Sequence, residues 1–210
     1  MGGIIAVAAV GALTFALTRG ESIIPSFLDP GPETPEFAFE TVKWKVEATT
    51  KALPKDLQDA VEPAVTEAQA LLTAYLQGAF VDPDTWGDYE GVFADAMTED
   101  AAADAAKQVD VLTLGATAND SYEFVAPGPS TLRITVLTDG EDAAAQMAAK
   151  VRFVASAELT DGTFTDVTSS GTYLLRLVEG DWRIFSFDVA RKETVAEAVA
   201  SATPSAEASA

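Results

Sequence analysis

From residue 121 onward the chain alternates apolar and polar positions with period two, the signature of strands with one buried face. Ser121–Val125 is a short run that ends at the turn Ala126–Pro129. Leu132, Ile134 and Val136 then alternate with Arg133 and Thr135. Val151, Phe153, Ala155, Ala157 and Leu159 alternate with Lys150, Arg152, Ser156 and Glu158. Asp161-Gly162 is a hairpin signal. Tyr173, Leu175 and Leu177 alternate with Thr172, Leu174 and Arg176, and Glu179-Gly180-Asp181 turns into a last strand, Trp182–Val189.

Upstream the period changes. Val65, Ala68, Leu72, Tyr75, Leu76 and Ala79 recur at helical spacing, with Pro63 expected in the first turn and the end near Gly78. Asp82-Pro83 reads as a cap and first turn of a second helix carrying Trp86, Tyr89, Phe93 and Met97. Thr98 can cap a third, Ala-rich helix reaching about Gln108. Ahead of these, Phe37, Phe39, Val42, Trp44 and Val46 suggest a strand with a phase change. Helices followed by a meander of long strands predict an α+β layer: N-terminal helices packed on a curved antiparallel sheet.

The ends differ in kind. Gly2–Thr18 is an uncharged apolar run closed by Arg19, at the short edge of a membrane span. Residues 1–19 are therefore expected to be one transmembrane anchor, and 20–35 a Pro/Gly-rich acidic linker. Only Met1 precedes the apolar run, whereas anchors carry Lys or Arg on the cytoplasmic side. The expectation is that the natural start lies upstream. Residues 36–192 form the folded domain, placed outside the cytoplasm at the cell membrane. Residues 193–210, Ala/Ser-rich, are expected to be a disordered tail.

Charge and composition then narrow the chemistry. The 210 residues hold 33 acidic and 13 basic side chains, a net charge of −20. Glu21–Glu123 carries 21 acidic and 5 basic residues, and 131–192 carries 9 and 7, so the sheet is nearly balanced. Such acidity repels phosphate backbones and argues against nucleic-acid binding. Solubility is its simpler explanation, and a saline habitat another. There is no His and no Cys. Imidazole triads, thiolate nucleophiles and thiolate zinc sites are thereby excluded. No P-loop, dinucleotide fingerprint or EF-hand loop is present, and neither metal nor cofactor is expected.

The closing pattern G-x-Y-x-L-x-x-x-x-G-x-W-R-I, Gly171 to Ile184, resembles the nuclear transport factor two-like cone fold. SnoaL-like cyclases, ketosteroid isomerases and the Mce-associated membrane proteins of actinobacteria share it. More narrowly, Ala79–Tyr89, Leu112–Ala116, Ser130–Asp139 and Gly180–Val189 resemble an actinobacterial family of singly anchored proteins. The resemblance spans roughly residues 36–192 and implies the cone fold, and by analogy pairing through open sheets as a homodimer or with a protein partner. Isomerases and cyclases of this fold resemble one another in placing an Asp, often with His or Tyr, inside the cone. Here Asp188, flanked by Phe185, Phe187 and Val189, is the nearest candidate, though an ordinary strand-end carboxylate paired with Arg191 or Arg183 is the favoured explanation. Glu123 stands in the same position.

Two site hypotheses follow. Tyr75, Trp86, Tyr89 and Phe93 could line a ligand mouth, although an aromatic stripe at helical spacing is commonly core. Arg133, Lys150, Arg152, Arg176 and Arg183, at alternate strand positions, could form a partner-docking patch on the outer sheet face, or simply keep the sheet soluble. The favoured function is a noncatalytic, membrane-tethered binding or assembly module. The alternative is a small enzyme or carrier acting on a hydrophobic ligand with Asp and Tyr.

Overall fold

A computed structural model describes residues 34–48, 55–138 and 144–195. The expected anchor, most of the linker and all but the first residues of the expected tail lie outside them. Among the described residues no helix is long and apolar enough to cross a membrane.

The fold is α+β. Six strands form one sheet: β1 (Thr41–Ala48), β2 (Tyr122–Pro127), β3 (Thr131–Thr138), β4 (Ala144–Leu159), β5 (Phe164–Val178) and β6 (Asp181–Val195). Their order is β1-β3-β4-β5-β6, with β2 paired to β4 beside the end of β3. The sheet is mixed, which corrects the antiparallel expectation: β1 runs parallel to β3, Val42 opposite Leu132 and Val46 opposite Val136. A parallel neighbour requires a long crossover, and the helical block between β1 and β2 supplies it. The helices are thus an excursion between strands rather than a block preceding them.

That block comprises α1 (Lys55–Leu76), a π-helical turn (Gln77–Val81), a 3-10 turn (Pro83–Thr85), α2 (Tyr89–Ala96), α3 (Glu99–Ala105) and the single turns α4 (Val109–Leu112) and α5 (Ala118–Ser121). Helix α1 begins eight residues before Pro63, which stands inside it and removes one ladder hydrogen bond. Asp82 caps only the 3-10 turn. Helix α2 takes its cap from Asp88, whose carboxylate accepts from the Gly91 amide at 3.0 Å.

Three features curve the sheet. β2 and β3 lie along the same edge of β4, Pro127 opposite Ala155 and Thr131 opposite Arg152. Four steps on one side match three on the other, so Gly128-Pro129-Ser130 is a bulge. Ser130, wholly buried, clamps it: its hydroxyl donates to the Gly128 carbonyl at 3.0 Å and accepts from the Val154 amide at 3.0 Å. In β5, Gly171 lets β6 approach closely. A Cβ there would lie 2.1 Å from the Asp188 carbonyl oxygen and 2.6 Å from the Val189 Cα. Finally, β6 bulges at Phe185, because Leu175 faces Ile184 while Leu174 faces Ser186. The Glu179-Gly180 turn fits its sequence signal, both residues having positive φ (55° and 102°).

The core lies between the helices and the concave face. Leu72, Leu76, Phe80 and Phe93 meet Leu132, Ile134, Met147, Phe153 and Leu175, all essentially inaccessible. Burying side chains of this size contributes roughly 1.5–3 kcal/mol each.

Candidate functional site

The helical aromatics pack with the core. Tyr75, Trp86 and Phe93 are 2%, 4% and 1% exposed, and Tyr89 is half-buried against Phe93. Tyr75 stands edge-on to Tyr173 of β5, centroids 5.7 Å apart, and its hydroxyl donates to the Leu112 carbonyl at 2.7 Å. Trp86 stands edge-on to Tyr122 at 6.2 Å. The gap lined by Gly78, Trp86, Tyr89, Val92 and Leu114 is too small for a water molecule. The aromatics therefore fill the space that a mouth would need. Among these aromatics tight packing leaves the Trp86 Nε1 and the Tyr173 hydroxyl without partners within the described residues.

Burial drives the Tyr75 and Tyr173 phenols well above their ordinary range, with the neighbouring Tyr173 adding to the effect on Tyr75. Both stay neutral near physiological pH. Among the described residues no Asp or Glu is buried, and no group of three or more Asp and Glu side chains is placed to hold a metal ion. Asp188, the nearest candidate for a carboxylate inside the cone, lies exposed on the outer face opposite Thr172. The reason is the Phe185 bulge. It adds one residue and reverses the parity of everything after Ile184, so Phe187, Val189 and Arg191 turn inward and Asp188 outward. Nor does Asp188 form an ion pair among the described residues. Glu123 is exposed at a register shift in β2.

The same reversal builds a polar cluster that the alternation alone does not reveal. Arg191 donates to the Thr113 carbonyl and pairs with Glu193 at 2.9 Å. The Tyr122 hydroxyl donates to the same Glu193 oxygen at 2.5 Å. Burial first, then this carboxylate, hold the Tyr122 phenol above its ordinary range. The cluster ties β2 and β6 to the loop after α4. Tyr122 and Arg191 converge on one Glu193 oxygen while Arg191 also holds the Thr113 carbonyl, which suits a brace rather than a reactive group.

The outer face is where the described cations gather. Seven Lys and Arg side chains point to it: Lys43, Lys45, Arg133, Lys150, Arg152, Arg176 and Lys192. Five carboxylates share it, Glu47, Glu158, Asp166, Asp181 and Asp188. The helical side is opposite in character: residues 59–120 hold thirteen acidic side chains and one basic, Lys107, which pairs with Asp104 at 2.7 Å. Lys43, Arg133 and Lys150 stand in one register row across three strands. Arg152 lies beside that row, opposite Thr131 and Ser170. Among the described residues none of these four is ion-paired.

Arg176 lies over the Phe185 ring, 5.3 Å from its centroid. Arg183 curls round the sheet edge and donates to the Ala94 carbonyl at 3.2 Å and to that of Asp95, at the C-terminal end of α2. Four of the five expected patch residues therefore share one accessible face, and the fifth is half-buried in a structural role. The sequence reading missed Lys43 and Lys45, which a parallel β1 brings alongside Arg133. Arg176 and Arg183 also border a cleft of about 350 Å³ at the sheet end, beside Glu99, Asp100 and Asp181. With Glu179 the lining holds four carboxylates against these two guanidinium groups.

No family model matches the chain, and no curated protein matches it. Among solved structures it is similar to the crystal structure of a hexachlorocyclohexane dehydrochlorinase (LinA) Type2. The TM-score is 0.48 and the identity 16%, over 70% of this chain and 99% of that one. A likeness at that level carries no argument about activity.

Proposed function

We propose that the domain is a noncatalytic binding or assembly module of the cone-fold kind that works through the outer face of its sheet. In this reading the apolar run Gly2–Thr18 tethers it to a membrane, with the domain outside the cytoplasm. The observation that carries the proposal is the segregation of charge: seven cations on one sheet face, in a chain of net charge −20. A packed interior without a buried carboxylate, among the described residues, leaves the hydrophobic-ligand alternative without an acid–base pair.

A positive face on an acidic protein suits an acidic protein surface, because opposite potentials steer encounter and suppress wrong pairings. A second copy can meet it too, by setting the cations of one face against Asp166 and Glu158 of the other. The test is native mass spectrometry of residues 35–210, a compact unit whose described core uses no residue before Phe37. The expected result is a paired or partner-bound species that Arg152→Glu with Arg176→Glu abolishes. An unchanged mass distribution in the double variant refutes use of this face.

A further inference from the structure

The two edges of the sheet are finished differently. At β6 the edge is covered around Ile184: the Thr98 amide donates to the Ile184 carbonyl at 2.9 Å, Met97 bridges to Ile184, and the Arg183 and Arg191 side chains reach the carbonyls of α2 and of Thr113. At β1 nothing among the described residues pairs with the outer edge. A strand of eight residues thus presents free amides and carbonyls, the template that proteins ordinarily cover or blunt.

The side chains of β1 specify what would fit. On the concave side Val42, Trp44 and Val46 face the core, yet each keeps part of its surface in solvent. On the outer side stand Lys43, Lys45 and Glu47, the last paired with Lys45. Lys43 is also the end of the row Lys43–Arg133–Lys150, which reaches Thr172 and Asp188 on the far side. Like charges directly opposite one another repel. The row carries an anion at its β6 end and none at its β1 end.

We propose that β1 is a strand-addition site for an extended acidic segment of a partner protein. Its alternate residues are carboxylates lying beside Lys43 and Lys45, and the intervening ones are apolar and cover Val42, Trp44 and Val46. Backbone hydrogen bonds supply affinity that is independent of sequence, and the alternating side chains supply selectivity. A carboxylate about 4.8 Å from Lys43, the ordinary interstrand spacing, completes the charge row. This inference rests on the open edge and not on face-to-face docking.

The experiment titrates the full chain with a capped octapeptide of alternating Val and Glu. It follows tryptophan fluorescence, in which Trp44 is the accessible reporter, since Trp86 and Trp182 are buried. The expected result is a saturable blue shift that Lys43→Glu with Lys45→Glu weakens by roughly tenfold at low salt. Lys107→Glu, on the helical side, leaves it intact. Two further peptides keep the test decisive even if the double variant folds poorly. One has the same composition in two blocks, Val then Glu. The other is the alternating sequence N-methylated along its docking edge. Both should fail. Equal binding of all three, which is ionic attraction alone, overturns the proposal, and so does no binding at millimolar peptide. Arg152→Glu with Arg176→Glu should keep the shift, so loss of face pairing and loss of strand addition are read separately.

Discussion

Raising the pH from 8 to 11 tests whether the space under the sheet is a sealed core. Tyr75, Tyr122 and Tyr173 are all held above the ordinary phenol value of 10.0 in the folded chain, chiefly by burial. In the unfolded chain they ionise near that value. A group whose folded pKa is raised contributes stability that is complete below the unfolded pKa and is lost as pH rises above it. The window therefore opens at about pH 10 and extends upward. One unit above the unfolded value, each such phenol costs about 1.4 kcal/mol of stability. The fully buried Tyr75 and Tyr173 together cost about 3 kcal/mol at pH 11, a large share of a typical domain's 5–15 kcal/mol, and the less enclosed Tyr122 adds less than either.

Urea unfolding at the two pH values measures the loss. Lysines also titrate in this range, so the diagnostic quantity is a double difference. Tyr173→Phe should lose about 1.4 kcal/mol less between pH 8 and pH 11 than the parent does. At pH 8 that variant should be no less stable than the parent, because the deleted hydroxyl is buried without a partner. Tyrosinate absorbance assigned to these three residues should rise together with unfolding. If Tyr173 titrates near pH 10 while the protein remains folded, solvent reaches it, the interior is an open pocket, and the argument against a ligand cavity collapses.

The curvature of the sheet gives two sharper perturbations. Gly171→Ala drives a methyl group into the β6 backbone, and backbone cannot rotate aside as a side chain can. A loss of more than about 3 kcal/mol in chemical denaturation is expected, and a change under 1 kcal/mol would mean that the strands do not approach so closely. Ser130→Ala removes the clamp between the β2–β3 bulge and β4, leaving the Val154 amide unsatisfied, at about 1–3 kcal/mol. Both measurements need only urea titrations of the purified chain. The charge-reversal mass measurement and the peptide titration complete the set.

The alternation of apolar and polar residues determined the strands, because period two survives wherever one face is buried. It placed β3, the hairpin at Asp161-Gly162 and the turn at Glu179-Gly180. It also placed Arg133, Lys150, Arg152 and Arg176 at polar positions, and the absence of His and Cys fixed which chemistries were closed. Tertiary structure decided the rest. The direction of β1 depends on where a crossover of more than seventy residues returns the chain, which no local pattern encodes. Parallel pairing then set Lys43 beside Arg133 and, among the described residues, left an edge open. One bulge at Phe185 reversed inside and outside, moving Asp188 to the surface and Arg191 inward, because side-chain parity is a running count that a single inserted residue resets. Whether an aromatic stripe forms a core or a mouth likewise rests on what packs opposite it. Here Tyr173 and Tyr122, distant in sequence, close the space.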